Sequence, residues 1–204
     1  MFSILRGSSI FTVGTLVARA FGFVLTLALT HAVGAVAYGV YVFAKKLITV
    51  GAGLADLGAD KAVLRFMPKF EDYPERRGAV LTLGLVTSLA ASLVFGAAFA
   101  LAAPWINAHT LGEPLFPAAL RVFAVVLPFY TLRRVVTATF RSLEQLEYTV
   151  GVNKVALPAA QILAVGAAFL LDASLVGVVV ALVVAGVVVF AGSFALLFAR
   201  TDLR

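Results

Sequence analysis

The sequence predicts an all-α, polytopic membrane protein of about six transmembrane helices, and three observations predict it. Of the 204 residues, 62% are hydrophobic and 13% are charged, with a mean hydropathy of +1.06. Soluble domains sit nearer half apolar and a quarter charged. The charges are also bunched, so that residues 170–199 hold one acid, Asp172, and no base. Finally, Lys and Arg gather at the ends of apolar runs and on alternate connections only, the pattern of cytoplasmic loops. Lipid admits helices or closed barrels as spanning forms, and runs this long exclude the alternating strands of a barrel.

A hydrocarbon core of about 30 Å needs about 20 apolar helical residues per crossing. The first such run is residues 8–30. Arg6 ahead of it has the look of a signal peptide, but Arg19 interrupts the run, which exceeds the roughly 7–15 residues of an h-region. It is read as a retained helix. Ser8, Thr12, Thr15, Arg19, Gly22, Thr26 and Thr30 follow at steps of 4, 3, 4, 3, 4 and 4, which is one helix face. Arg19 lies roughly 16 Å into the span at 1.5 Å per residue, near the bilayer centre. A guanidinium at that depth costs about 2.5–3.5 kcal/mol on insertion scales. Two reasons for its presence stay open: a place on a polar pathway, favoured because the whole face is polar, or a structural pair with an acid such as Asp56.

The second span is predicted at 38–63, after the breaker Gly34. Tyr38, Tyr41, Lys45, Thr49, Ala52, Asp56 and Asp60 step by 3, 4, 4, 3, 4 and 4 along one face. Lys45 falls in the outer third, where it either faces a cavity or snorkels to the headgroups. Asp56 and Asp60 sit toward the cytoplasmic end. The third span, 79–102, follows the Pro68–Pro74 connection and carries Thr82, Ser88 and Ser92, polar groups suited to helix packing. The fourth, 116–139, follows Pro104 and Gly112-Glu113-Pro114. It holds Arg121 near its outer end, Pro128 as an expected kink, and Tyr130, Arg134, Thr137 and Arg141 descending one face. Arg133, Arg134 and Arg141 are read as cytoplasmic anchors. In the fifth, 150–171, Gln161 is the one deep polar side chain, following Lys154 and Pro158 at steps of 4 and 3. The sixth, 175–199, is apolar all round, with Gly177, Ala181 and Ala185 for packing or lipid contact.

Arg6, the loop with Arg65, Lys69, Arg76 and Arg77, the fourth-to-fifth connection, and Arg200 and Arg204 all fall on one side. The opposite connections (31–37, 103–115 and 172–174) contain no Lys or Arg. Both termini are therefore expected in the cytoplasm, with residues 1–204 forming a single six-helix domain in the cell membrane. The net charge of +6 follows this topology and does not predict nucleic-acid binding. Anionic lipid headgroups account for the basic loop. The chain has no Cys, and its two His stand in separate connections, so no thiolate chemistry, disulfide or metal site is expected. Neither an enzyme constellation nor a cofactor site is predicted.

Several stretches resemble the polysaccharide-biosynthesis, O-antigen-type oligosaccharide flippases of the multidrug/oligosaccharidyl-lipid/polysaccharide exporter superfamily. They are Arg6-Gly7-Ser8-Ser9, Ala18-Arg19-Ala20-Phe21-Gly22-Phe23, Gly34 followed by Tyr38-Gly39-Val40-Tyr41, and Leu54-Ala55-Asp56-Leu57-Gly58-Ala59-Asp60-Lys61 with Arg65-Phe66 and Pro68. A fainter echo is Phe140-Arg141-Ser142-Leu143-Glu144-Gln145. The resemblance implies translocation of a polyisoprenyl-linked oligosaccharide by alternating access between two six-helix lobes. Arg19 and Lys45 match the cations of such a cavity. With the polar stripes, the candidate substrate-binding residues are Arg19, Thr15, Thr26, Lys45, Thr49, Asp56 and Gln161. Members usually carry twelve or more helices, so six correspond to an N-terminal lobe. A second copy or a separate second lobe is then the expected partner, because a lone lobe leaves Arg19 facing lipid. Three alternatives remain: a cation-coupled multidrug exporter using Asp56, a non-transporting assembly protein or remnant, and a lipid-modifying enzyme acting through Asp56 and Asp60.

Overall fold

The computed structural model describes residues 2–143, 148, 150–171 and 174–200. Glu144, Gln145, Glu147, Asp172 and Arg204 lie outside the described residues, as do the side chains of Arg6 and Ser8. No strand occurs among the described residues. Four helical stretches there are long and apolar enough to cross a membrane: Gly14–Ala55, Pro74–Ala108, Gly151–Leu170 and Leu175–Leu197. Large apolar side chains such as Leu83, Val94, Leu101 and Leu163 stand exposed around the bundle, as a lipid-facing surface requires and a water-facing one does not tolerate. The chain is an all-α polytopic membrane protein.

Helix α1, Phe2–Ala55, is continuous by hydrogen bonding but contains a non-helical residue, Gly34, at φ 80° and ψ 165°. Only glycine enters that region without a steric cost. The chain reverses there. Twelve residues of straight helix span about 18 Å, yet Thr26 Oγ1 and Tyr38 OH are 3.1 Å apart in a hydrogen bond. The two arms of this hairpin correspond to the first two predicted spans. Leu25 and Leu29 of one arm share a core with Val40, Tyr41, Ala44 and Ile48 of the other.

The second arm stops at Ala55, earlier than the predicted Val63. Leu57 (φ 50°) and Gly58 (φ 79°) both take left-handed conformations, and the chain restarts as the short α2, Ala59–Phe66. Glycine bears this readily; Leu57 does so at a cost of roughly 1–2 kcal/mol. Lys45 lies midway along the arm between Gly34 and Ala55.

Helix α3, Pro74–Ala108, begins with proline in its first turn and runs through Pro104, which the sequence placed in the following connection. Proline has no N–H for the carbonyl four residues back. Arg121 Nε of the next helix donates to that carbonyl, Ala100 O, at 3.5 Å, so the helix continues. Gly84, Ser88, Ser92, Gly96 and Ala103 form its buried stripe, whereas Thr82 is exposed.

Helix α4, Phe116–Ser142, is the central rod, packed against α1, α2, α3 and the C-terminal helix. Pro128 deprives the Ala124 carbonyl of its usual donor, and that oxygen approaches α3 so closely that a Cβ on Gly96 would lie 2.8 Å from it. Glycine is required at this crossing. A π-helical turn, Gly151–Ala156, precedes α5, Leu157–Leu170, and the Leu157 N–H reaches back to Val152 O. Pro158 cannot bond the Lys154 carbonyl and crowds it, which a wider turn relieves. Helix α6, Leu175–Arg200, completes the bundle. One core is built on Tyr41, Ile48, Phe116, Phe123 and Leu127; a second, near the basic loop, on Val63, Met67, Val135 and Phe140.

Candidate functional site

Between the second arm of α1 and helices α4, α5 and α6 lies a cavity of about 220 Å³. Its walls are mainly apolar, and its polar lining consists of Lys45, Thr49, Tyr130, Arg133 and Gln161. Helical spacing explains why these meet. Lys45 and Thr49 are one turn apart on α1, and Val126, Phe129, Tyr130 and Arg133 descend one face of α4. Gln161 sits one turn past Pro158 and is buried against the cavity.

The two cations are held by aromatic partners. Lys45 Nζ donates to Tyr41 OH at 2.9 Å and lies 5.2 Å from that ring's centroid. The Arg133 guanidinium stands 5.6 Å over the Tyr130 ring. Such contacts hold a cation without neutralising it. Thr49 Oγ1 donates to Lys45 O at 2.7 Å, a local bond that leaves its oxygen lone pairs as acceptors. Among the described residues, no carboxylate lines this cavity.

Nearer the basic loop is a second space of about 310 Å³, a vestibule bordered by Asp60, Arg133, Arg134, Thr137, Arg141 and Asn153. Arg133 lines both spaces. Asn153, on the π-helical turn, accepts from Arg133 Nη1 at 3.4 Å and donates from Nδ2 to Thr137 Oγ1 at 3.2 Å. It ties α5 to α4. Arg134 is committed to acids: its Nη2 is 3.0 Å from Asp60 Oδ2 and its Nε is 3.9 Å from Asp56 Oδ2.

Lys45, Thr49 and Gln161 of the seven candidates are brought together at the first cavity. Asp56 is not there; it is 1% exposed. It also accepts from the Asp60 N–H at 3.3 Å, which places its carboxylate at the start of α2, where negative charge is favoured. Its arginine partner is Arg134 and not Arg19. Arg19 is exposed and borders neither space. Thr26 is engaged with Tyr38, and Thr15 is half-buried on the same arm as Arg19.

Sequence reasoning missed Tyr130, Arg133, Arg134, Arg141 and Asn153 as site residues. The three arginines fall where anchoring bases are expected; in the structure Arg133 is half-buried between the two spaces, whereas Arg134 and Arg141 are exposed at the rim. The descent of Tyr130, Arg134, Thr137 and Arg141 along one face is the signal the sequence offers. Asn153 had none, because the widened turn before Pro158 shifts it off the regular helical spacing. Among the described residues no cluster of metal-ligating side chains occurs.

A protein-family model described as "Polysaccharide biosynthesis protein" matches residues 4–202, nearly the whole chain. No curated protein and no solved structure matches it.

Proposed function

The chain belongs to the polysaccharide biosynthesis protein family, and on that premise we propose that it moves a polyisoprenyl-linked oligosaccharide across the cell membrane for polysaccharide assembly. The observation that carries this reading is the cavity holding Lys45 and Arg133 with hydroxyl and amide groups and no acid among the described residues. Cations within a membrane are costly unless they face a wet interior or a counter-charge. The phosphate of a lipid carrier supplies that charge, and guanidinium–phosphate bonds are strong and directional. The sugars supply partners for Thr49, Gln161 and Tyr130.

The basic loop marks the cytoplasmic side, with both ends of the chain there. Arg19, exposed with Gly22 on one flank, fits a face closed by a second lobe, either another copy or a separate subunit. The cation-coupled exporter reading rests on Asp56, which does not line this cavity and whose Oδ2 has Arg134 Nε at 3.9 Å.

The test is surface polysaccharide in a strain lacking the native gene. Lys45→Gln and Arg133→Gln abolish the surface glycan while insertion and protein level stay normal, and Arg19→Ala does the same. Full glycan display by both cavity variants at normal expression refutes the reading.

A further inference from the structure

Helices α3 and α4 leave an open groove of about 270 Å³ that shares no lining residue with the translocation cavity. Ser92, Gly96, Ala124 and Pro128 are buried in its floor, and Leu93, Ala97 and Val125 stand exposed along it. Small side chains bring α3 close to the Ala124 carbonyl and leave nothing to fill the space above the crossing. On α3 the groove runs from Ser92 to Ala100, roughly 12 Å of helix. That is most of the roughly 15 Å depth of one leaflet's hydrocarbon. Its lining loses dispersion contacts unless a hydrocarbon chain enters.

A charge closes one end. Arg121 Nε donates to Ala100 O at 3.5 Å, and Arg121 stands one turn ahead of Ala124 and Val125 on α4, on the groove's own face. The side chain is exposed. That bond occupies Nε alone, and among the described residues Arg121 joins no ion pair. The connections on this side of the bundle hold no Lys or Arg. Trp105 is exposed about a turn and a half beyond Ala100, the level at which Trp meets headgroups. An arginine just below that level reaches it along its own stem.

We propose that this groove is a binding site for an anionic phospholipid of the leaflet opposite the basic loop. One acyl chain lies along Ser92–Ala100, and the headgroup phosphate meets the Arg121 guanidinium. An anionic headgroup brings net charge to a lone guanidinium, whereas a zwitterionic one also brings an ammonium that the guanidinium repels. The site does not rest on the proposed function.

The test reconstitutes the full chain in phosphatidylcholine bilayers and follows the fluorescence of Trp105, its one Trp, as brominated lipid is added. Brominated phosphatidylglycerol is expected to quench at about one-fifth of the mole fraction that brominated phosphatidylcholine needs, the preference one base near the surface confers. Arg121→Gln removes that preference, and Arg121→Lys, which keeps the charge, restores most of it. Ala97→Leu, at an exposed position, fills the groove and brings the ratio toward unity. Equal quenching by the two lipids in wild type, or an unchanged ratio in Arg121→Gln or Ala97→Leu, overturns the proposal. So does a Trp105 that neither lipid quenches, which shows the face covered by protein. Displacement of brominated phosphatidylglycerol by equimolar polyprenyl phosphate also overturns it, by giving the groove to a carrier chain.

Discussion

Replacing Arg134 by Met isolates the electrostatics at the junction of α1 and α2. The Asp56 carboxylate is 1% exposed, and its Oδ1 is buried with no hydrogen-bond partner. Its Oδ2 has the Asp60 N–H at 3.3 Å and Arg134 Nε at 3.9 Å. Removing one member of a buried ion pair costs about 3–5 kcal/mol. Two considerations lower that figure here. The Arg134 side chain is 43% exposed, so water follows the deleted guanidinium and screens what is left. Protonation also sets a ceiling, since neutralising an ordinary aspartate, titrating near 3.9, costs about 4 kcal/mol at pH 7. The expected loss is about 2–3 kcal/mol, or roughly 5–10 °C in melting temperature for a chain of this length. Melting in detergent, followed by size-exclusion recovery, measures it. The folded variant gains by holding a proton that the unfolded chain has released, so its stability falls as pH rises. At pH 5 the ceiling drops to about 1.5 kcal/mol, and the deficit narrows. Asp56→Asn with Arg134→Met removes the buried carboxylate as well and recovers the part of the loss that comes from it, with Asp60 left without its 3.0 Å partner. A single variant melting within about 2 °C of wild type at pH 7, or a double variant no better than the single, refutes the reasoning.

Gly96→Ala places a methyl 2.8 Å from the Ala124 carbonyl oxygen and should cost about 1–3 kcal/mol by overpacking. Gly166→Ala, with nothing within 4 Å, should melt unchanged or higher, and equal melting of the two sinks the close-approach account. The chain contains no Cys, so one introduced thiol reports cleanly on pairing. Gly22→Cys, beside Arg19 on the exposed stripe, should form disulfide-linked dimers on oxidation in membranes, whereas Leu101→Cys, 82% exposed, should not. Absence of the Gly22→Cys dimer refutes pairing with a second copy.

The residues differ in how much of their role could be read locally. Lys45 and Thr49 were legible as neighbours because one helical turn separates them on a continuous arm. Gln161 was legible as polar and deep, but not as facing Lys45, since that depends on how α5 is turned about its own axis. Arg133 and Arg141 read as anchors for a physical reason: at a span's end, an anchoring base and a base lining an inner space have the same sequence position. Asp56 is legible as an acid toward the cytoplasmic end of its span. Its partner, 78 residues along the chain as Arg134, lies beyond any local pattern, as does the left-handed turn at Leu57 and Gly58 that swings the carboxylate onto α2.

Hydropathy and helical periodicity are properties of short stretches, because transfer into lipid and backbone hydrogen bonding are settled residue by residue and turn by turn. The amino-acid sequence by itself therefore determined that the chain is helical, that it lies in a membrane, and which residues share each polar face. Which faces meet was decided only in the tertiary structure. The way α3 meets α4 is fixed by the close approach of Gly96 to the Ala124 carbonyl and by the bond from Arg121 to the Ala100 carbonyl that Pro104 deprives of its donor. Those contacts join segments far apart in the chain, and in the resulting bundle Lys45 and Arg133 turn inward while Arg19 looks out.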